Sequence, residues 1–432
     1  MAHKIAFIGA GSFGFTRSLV RDLLSFPAFH DATISLMDIN AERLAAIKRA
    51  VERIVAEGKY AAKVEATMDR KEALVGAEGV VTTILAGDVD VWQHDILIPK
   101  KYGVDTNVGD TRGPSGIFRY LRTINPIMEI AADIDRYCPN AVYLNYTNPM
   151  AMLCRTVQGA YPHIVTSGLC HSVQGTASML AKWIGAKNED VTYTCAGINH
   201  QAWLLEVTKN GVDLYPEIKR RALARTEKHH DMVRYEIMKR FGYYVTESSE
   251  HNSEYMPYFI KSTHPELIDQ FNIPLDEYPR RCINQIAEWE KMRENLLGDE
   301  NLTHTRSREY ASYIMEAMET NRPFKFGGNV INTGLITNLP SNACVEVPCI
   351  ADASGVQSVF IGDLPEQCAA MNRTNINPQL LAIEAAVTKK KDYIYQAAML
   401  DPHTAAELTI DQIVSMCDDL IEAHKGWLPE YH

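Results

Sequence analysis

Lys4-Ile-Ala-Phe-Ile8-Gly9-Ala-Gly11-Ser12-Phe13-Gly14 is the stretch that decides the fold. It reads as a short apolar strand closed at once by three glycines spaced GxGxxG. A helix is predicted over 15–26, and a second strand over 33–37 ends in Asp38. These parts together make a dinucleotide-binding fingerprint in its required context. Gly9 permits the tight turn, Gly11 lets backbone amides approach a pyrophosphate, and Gly14 lets helix and strand pack closely. Ser12 and Phe13 complete the expected cofactor loop. Asp38 suits ribose hydroxyls and argues for NAD+ over NADP+, because a carboxylate repels a 2′-phosphate. Arg43, close by, keeps part of that choice open.

The pattern continues outward from there. A helix over 41–57, a strand over 63–67, a short helix from Asp69 and a strand over 79–85 repeat the βαβ alternation. Such alternation predicts a parallel sheet with right-handed crossovers. Helices are predicted over 91–102 and 117–137. The segment 109–116 between them reads as a polar, glycine-rich loop. It is either a plain connection or the place where Asp110, Arg112 and Arg119 offer charge beside the nicotinamide end.

A strand over 141–145 runs into Tyr146-Thr147-Asn148-Pro149, with Pro149 suited to the first turn of a helix. Another, over 164–167, runs into Gly168-Leu169-Cys170-His171-Ser172-Val173, with a helix over 173–183. Strand carboxyl ends are where open α/β sheets place ligands. Asn148 is a substrate-facing amide or a plain cap. Cys170 is a metal ligand, its thiolate favoured by the helix N-terminus, or a buried structural cysteine.

Composition shifts near Val191. Strands over 191–196 and 202–208 alternate, which predicts a mixed or antiparallel sheet and a second domain. Residues 1–190 are expected to form the cofactor-binding domain. Residues 191–432 are expected to form an α+β domain for substrate, metal and oligomerisation. Gly197-Ile-Asn-His200 lies in the turn, making His200 either a structural histidine or a metal partner of Cys170. Helices are predicted over 232–241, 281–297 and 306–320. The polar stretch 241–251 is a site segment or a solvated loop. Strands over 329–332 and 344–350 precede helices over 380–399 and 409–424. The fold class is α/β: a Rossmann-like doubly wound parallel sheet followed by an α+β domain, like lactate and malate dehydrogenases.

The whole chain has 432 residues, 46% hydrophobic and 22% charged, with a formal net charge of −11. That size predicts two domains, and that charge excludes nucleic acid and anionic membrane as natural partners. No apolar run approaches a membrane span, and no signal-peptide segment precedes the first strand. Nine cysteines without a CxxC pair point to a reducing cytoplasm. The chain is expected to assemble as a homodimer or homotetramer.

The fingerprint, Asn145-Tyr-Thr-Asn-Pro149, the Cys170-His171 segment and Gly197-Ile-Asn-His200 resemble glycoside hydrolase family 4 in kind and order. Val345-Glu-Val-Pro348 and Asp401-Pro-His-Thr404 extend the resemblance over essentially the whole chain. The family's glycosidases depend on NAD+ and manganese. Cys-His-Ser-Val resembles its α-galactosidases in particular. The resemblance implies Mn2+ held by Cys170 and His200, substrate contacts at Asn148 and Asp110 with Arg119 nearby, and His171 as the acid. Where relatives carry a Tyr or Asp base, this chain has Ser248, flanked by Glu247 and Glu250. The base is open among the three.

The implied reaction is a redox-assisted elimination. Hydride leaves sugar C3, a base takes the C2 proton, and His171 protonates the departing oxygen. Water then adds and the hydride returns. No carboxylate pair is required. The alternatives are an α-galacturonidase or another α-glycosidase of the same family. More remote are a 2-hydroxyacid dehydrogenase, which has no use for Cys170, and a non-catalytic NAD-sensing protein.

Overall fold

The computed structural model describes residues 3–288 and 305–432. The apolar runs form strands β1 (Lys4–Ile8), β2 (Thr33–Met37), β3 (Lys63–Thr67), β4 (Gly79–Thr82), β5 (Val142–Asn145) and β6 (Thr166–Leu169). They are mutually parallel in the order β3-β2-β1-β4-β5-β6. This is the doubly wound order of dinucleotide-binding sheets, and its switch point falls between β1 and β4.

The strands that follow do not start a separate sheet. They are β7 (Val191–Ile198), β8 (Gln201–Lys209), β9 (Val212–Asp213), β10 (Tyr244–Val245), β11 (Phe324–Ile331), β12 (Cys344–Asp352) and β13 (Gly355–Ser358). β11 pairs antiparallel with β6, and β12, β7, β8 and β10 continue from it in that order. The expected mixed sheet is thus an antiparallel extension of the parallel one. The Cys170 strand end and the β7–β8 turn thereby lie on one sheet.

Helices cover both faces, as parallel strands buried on both sides require. Phe13–Leu24, Ala41–Gly58 and Tyr310–Thr320 cover one face. The long helix Gly113–Tyr137 packs with Glu366–Thr388, Lys391–Leu400 and Ile410–Ala423 on the other. Ile34 and Leu36 of β2 are fully buried, each burial worth about 1.5–3 kcal/mol.

Three expectations are corrected. Gly113 to Gly116 belong to no loop: they form the first turn of the helix Gly113–Tyr137, entered through Pro114. The helix predicted over 380–399 is two helices, because Lys389 turns left-handed (φ 60) and ends the first. That first helix starts much earlier, since Pro378 is tolerated in its interior. The helix predicted over 281–297 begins earlier, at Glu277, and runs to Ala287; residues 289–297 of that expectation lie outside the described residues.

Candidate active site

The cofactor loop is built as its glycines suggest, with one exception. Gly9 has φ 83, and a Cβ there would stand 2.8 Å from the Thr83 carbonyl oxygen, so only glycine fits. At Gly11 a Cβ would stand 2.7 Å from Asp38 Oδ2. The Gly11 N–H donates to that oxygen at 2.7 Å, and the Asn40 N–H donates to Oδ1 at 2.8 Å. Asp38 therefore ties the β2 end to the glycine turn. Gly14 is the exception: a Cβ there would meet nothing within 4 Å, so close packing of helix on strand is not what it serves. Ser12 stands at the N-cap of the helix Phe13–Leu24, with no side-chain cap and no acid in the first turn. Such a helix end suits a pyrophosphate. Arg43 lies beside this turn: its N–H donates to Asn40 Oδ1 at 3.0 Å, and its Cβ lies 2.9 Å from where a Cβ on Gly11 would stand.

The carboxyl ends of the neighbouring strands carry a second cluster. Donor atoms of Cys170, His200 and Glu247 all lie within 4.8 Å of one another. Glu247 Oε2 is 3.7 Å from His200 Nε2 and 3.9 Å from Cys170 Sγ. A second triplet, Asp110, His200 and His251, meets the same limit. His251 bridges two carboxylates, with Nδ1 3.5 Å from Glu247 Oε1 and Nε2 3.5 Å from Asp110 Oδ1. Asn148 donates to Asp110 Oδ2 at 3.0 Å, and Pro149, not Asn148, stands at the following N-cap. The expected substrate contacts Asn148 and Asp110 thus touch each other at the edge of the metal-competent cluster.

Electrostatics separate the two histidines. Burial pushes His200 down to about 4, which Glu247 only partly offsets. It is a neutral imidazole, the form a metal ligand requires. Burial also opposes charge on His251, but Glu247 and Asp110 prevail and raise it to about 9. Burial opposes the Asp110 carboxylate too, yet His251 and Arg119 hold it well below the usual range. Cys170 departs from expectation. Burial, reinforced by Glu247 and Glu346, pushes its thiol well up against the pull of Ser172 at the helix start. Helix position alone does not make the thiolate; a cation's charge is what this thiol needs to ionise. The Cys170 thiol and the neutral His200 imidazole suit a divalent transition ion with positions left open, and the Glu247 carboxylate stands beside them.

The other expected residues take varied places. His171 stands at the N-cap of the helix Ser172–Trp183, its side chain 62% exposed, with Nδ1 3.9 Å from Glu309 Oε1. Ser248 caps the helix Ser249–Tyr255, accepting from the His251 N–H at 3.4 Å. Its hydroxyl also lies 3.2 Å from His251 Nδ1. Glu250 lies in that helix's first turn, its carbonyl accepting from Asn107. Arg119 is buried over the Tyr278 ring at 5.9 Å, and its Nε and Nη1 find no hydrogen-bond partner among the described residues. Arg112 pairs instead with buried Asp401.

Sequence reasoning singled out neither His251, Glu254 nor Arg234. Only the polar run over 241–251 signalled the first. Glu254 accepts from the backbone N–H groups of Asn107, Val108 and Gly109, and so fixes the approach to Asp110. Arg234 chelates Asp231 and donates to the Glu247 carbonyl.

Fold and site together define an enzyme with a dinucleotide-binding sheet and a metal-competent cluster at its strand ends. The family 4 glycosyl hydrolase profile matches residues 4–186, and the profile of that family's C-terminal domain matches 195–404. An α-galactosidase of Bacillus subtilis is 55% identical over 99% of both chains. A solved 6-phospho-β-glucosidase from Thermotoga maritima, with manganese, NAD+ and glucose-6-phosphate, superposes with a TM-score of 0.82. It is 20% identical and covers 99% of this chain and 100% of its own. The Cryptosporidium parvum malate dehydrogenase shares the fold more distantly, with a TM-score of 0.54 at 17% identity, over 90% of this chain and 100% of its own. The chain belongs to the family 4 glycosyl hydrolases.

Proposed function

We propose that the protein is an α-galactosidase that cleaves α-galactosides such as melibiose with NAD+ and Mn2+. The observation that carries the reading is the meeting, on one sheet, of a dinucleotide turn at β1 and a Cys170–His200–Glu247 cluster beyond β6 and β7. A simple 2-hydroxyacid dehydrogenase leaves that cluster unexplained. The 55% identity to an α-galactosidase favours galactosides over galacturonides.

Cys170 and His200 would hold the ion, and Gly9, Gly11, Ser12 and Asp38 the dinucleotide. When bound, the two supply a hydride acceptor for sugar C3 and a Lewis acid for the C2 and C3 oxygens. The protein's own side chains do the rest. Glu247 is our choice of base for the C2 proton. Of Glu247, Ser248 and Glu250, it is the carboxylate that reaches the cluster, and against the opposition of burial it is held below its ordinary value, with His251 as the charged imidazole beside it. Ser248 is committed to capping. His171, open to solvent beside the cluster, gives its proton to the leaving oxygen. Asn148, Asp110 and Arg119 orient the sugar's hydroxyls.

We also propose a functional division near residue 190, with cofactor contacts before it and His200 and Glu247 after it. A cytoplasmic setting is supported by nine cysteines, all free. Among the described residues no helix is long and apolar enough to cross a membrane. The direct test is nitrophenol release from α-galactoside, α-glucoside and α-galacturonide substrates with NAD+, Mn2+ and thiol present. Faster release from the glucoside or galacturonide would overturn the substrate assignment.

A further inference from the structure

Val345-Glu-Val-Pro348 contributes nothing to the reaction as described, yet it carries an acid in the worst place for one. Glu346 of β12 is 1% exposed, opposite Asn329 of β11 on one side and Gly197 of β7 on the other. Asn329, fully buried, is in turn opposite Gly168 of β6. The Asn329 Nδ2 group donates to Glu346 Oε1 at 3.2 Å and to the Gly168 carbonyl at 3.3 Å. On the other flank the Asn199 amide lies near the same carboxyl, without a hydrogen bond of ordinary geometry between them.

This row of side chains lies between the two ends that matter. Gly168 is two residues before Cys170, and Asn199 immediately precedes His200. The strongest influences on Glu346 are burial, Asn329, Glu247 and Asn199, none of them a cation. A bare carboxylate so placed is strongly disfavoured by the loss of its hydration. Burial and the Glu247 charge push it up to about 8, so it is carried as a neutral acid. Glu346 Oε2, Asn329 Oδ1 and Asn199 Nδ2 are all buried without a partner of ordinary geometry. A proton on Glu346 turns one of two stranded acceptors into a donor and joins both amides without charge.

We propose that Glu346 is a positioning residue: through Asn329 and Asn199 it holds the β6 end carrying Cys170 and the turn carrying His200 at the spacing one metal ion needs. The proposal rests on Cys170 and His200 being the metal ligands. It concerns shape and not charge, because Glu346 contributes no net attraction for a cation while neutral.

The test is a Mn2+ titration followed by the electron paramagnetic resonance of free Mn2+, on the full-length protein and its E346A, E346Q and C170S variants. NAD+ affinity is measured in parallel. E346A should bind Mn2+ about tenfold or more weakly, the range for groups that orient a ligand, with NAD+ affinity unchanged. E346Q keeps the shape and neutrality and should stay near wild type. If E346A does not fold, N329A replaces it with the same expectation. Wild-type Mn2+ affinity in E346A overturns the proposal, and so does an E346Q as weak as E346A. C170S separates the two layers. If C170S loses Mn2+ while E346A keeps it, only the Glu346 proposal fails. If C170S keeps Mn2+, the metal-site reading beneath it fails.

Discussion

Glu247 Oε2 stands 3.7 Å from His200 Nε2, and both residues hold a left-handed backbone, φ 70 and φ 65. Neither is glycine, so each conformation costs on the order of 1–3 kcal/mol and persists only where surroundings over-determine it. At His200 a two-residue turn between β7 and β8 imposes it. At Glu247 the carbonyl is held by buried Arg234. Strain from two separate segments is spent on bringing one imidazole and one carboxylate to the same point, beside Cys170.

This geometry makes the role of Glu247 testable. E247Q should retain Mn2+ affinity close to wild type but lose about a hundredfold or more in turnover, the usual yield of a positioned base. Exchange of the sugar C2 proton with solvent should vanish with it. If E247Q instead loses Mn2+ as C170S is expected to, Glu247 is a ligand of the ion and the base lies elsewhere.

Asp38 offers a second test. Its carboxylate already accepts two backbone N–H groups, so it is anchored where ribose hydroxyls are expected. Asp38→Ala should weaken both dinucleotides by loosening the loop, but NAD+ more than NADP+. One lost bond to a charged group, about 1.5 kcal/mol, corresponds to roughly a tenfold change in the affinity ratio. An unchanged ratio in binding titrations would show that Asp38 does not reach the ribose.

The Arg112–Asp401 pair joins the Asp110 segment to the C-terminal helices, with side chains 4% and 0% exposed. Asp401 also accepts from the Thr404 N–H at 2.9 Å and hydroxyl at 2.6 Å. Asp401→Ala leaves a buried guanidinium unpaired, which should cost about 3–5 kcal/mol. The urea midpoint should fall accordingly. A midpoint equal to wild type would mean that water reaches Arg112 and the pair is not structural.

What was legible in the sequence is what is local. The fingerprint, Asp38 and the Cys170–His171 segment announce themselves because turn, glycine and strand end are neighbours in the chain. The element predictions for β1, β2 and β3 coincide with the strands found. What was not legible acts across distance. Glu254 fixes the turn before Asp110 from 147 residues away. Glu346 reaches the site only because β11 and β12 insert between β6 and β7, a pairing no local pattern encodes. His251 was hidden in a polar run until Asp110, far upstream, closed on its other nitrogen. The Cys170 thiol differs from the expectation because a helix end is visible in sequence, whereas its full burial and the two carboxylates that reinforce it are not.

The mechanism itself is decided by one atom of the product. The cluster that motivates redox elimination places an ionised carboxylate, Glu247, with two metal-competent donors, and does so on a dinucleotide-binding sheet. If the glycosidic bond breaks by elimination, the C2 proton leaves in each turnover and a solvent proton replaces it. Hydrolysis in D2O should therefore yield galactose with deuterium at C2, approaching one per molecule, read by proton NMR or mass spectrometry. A substrate carrying deuterium at C2 or C3 should turn over more slowly wherever that step limits the rate, with little dependence on the leaving group. Direct displacement predicts the reverse, because C2 then keeps its own hydrogen. Galactose released in D2O without label at C2 would end the elimination reading, even with the metal ligands and the dinucleotide site left standing.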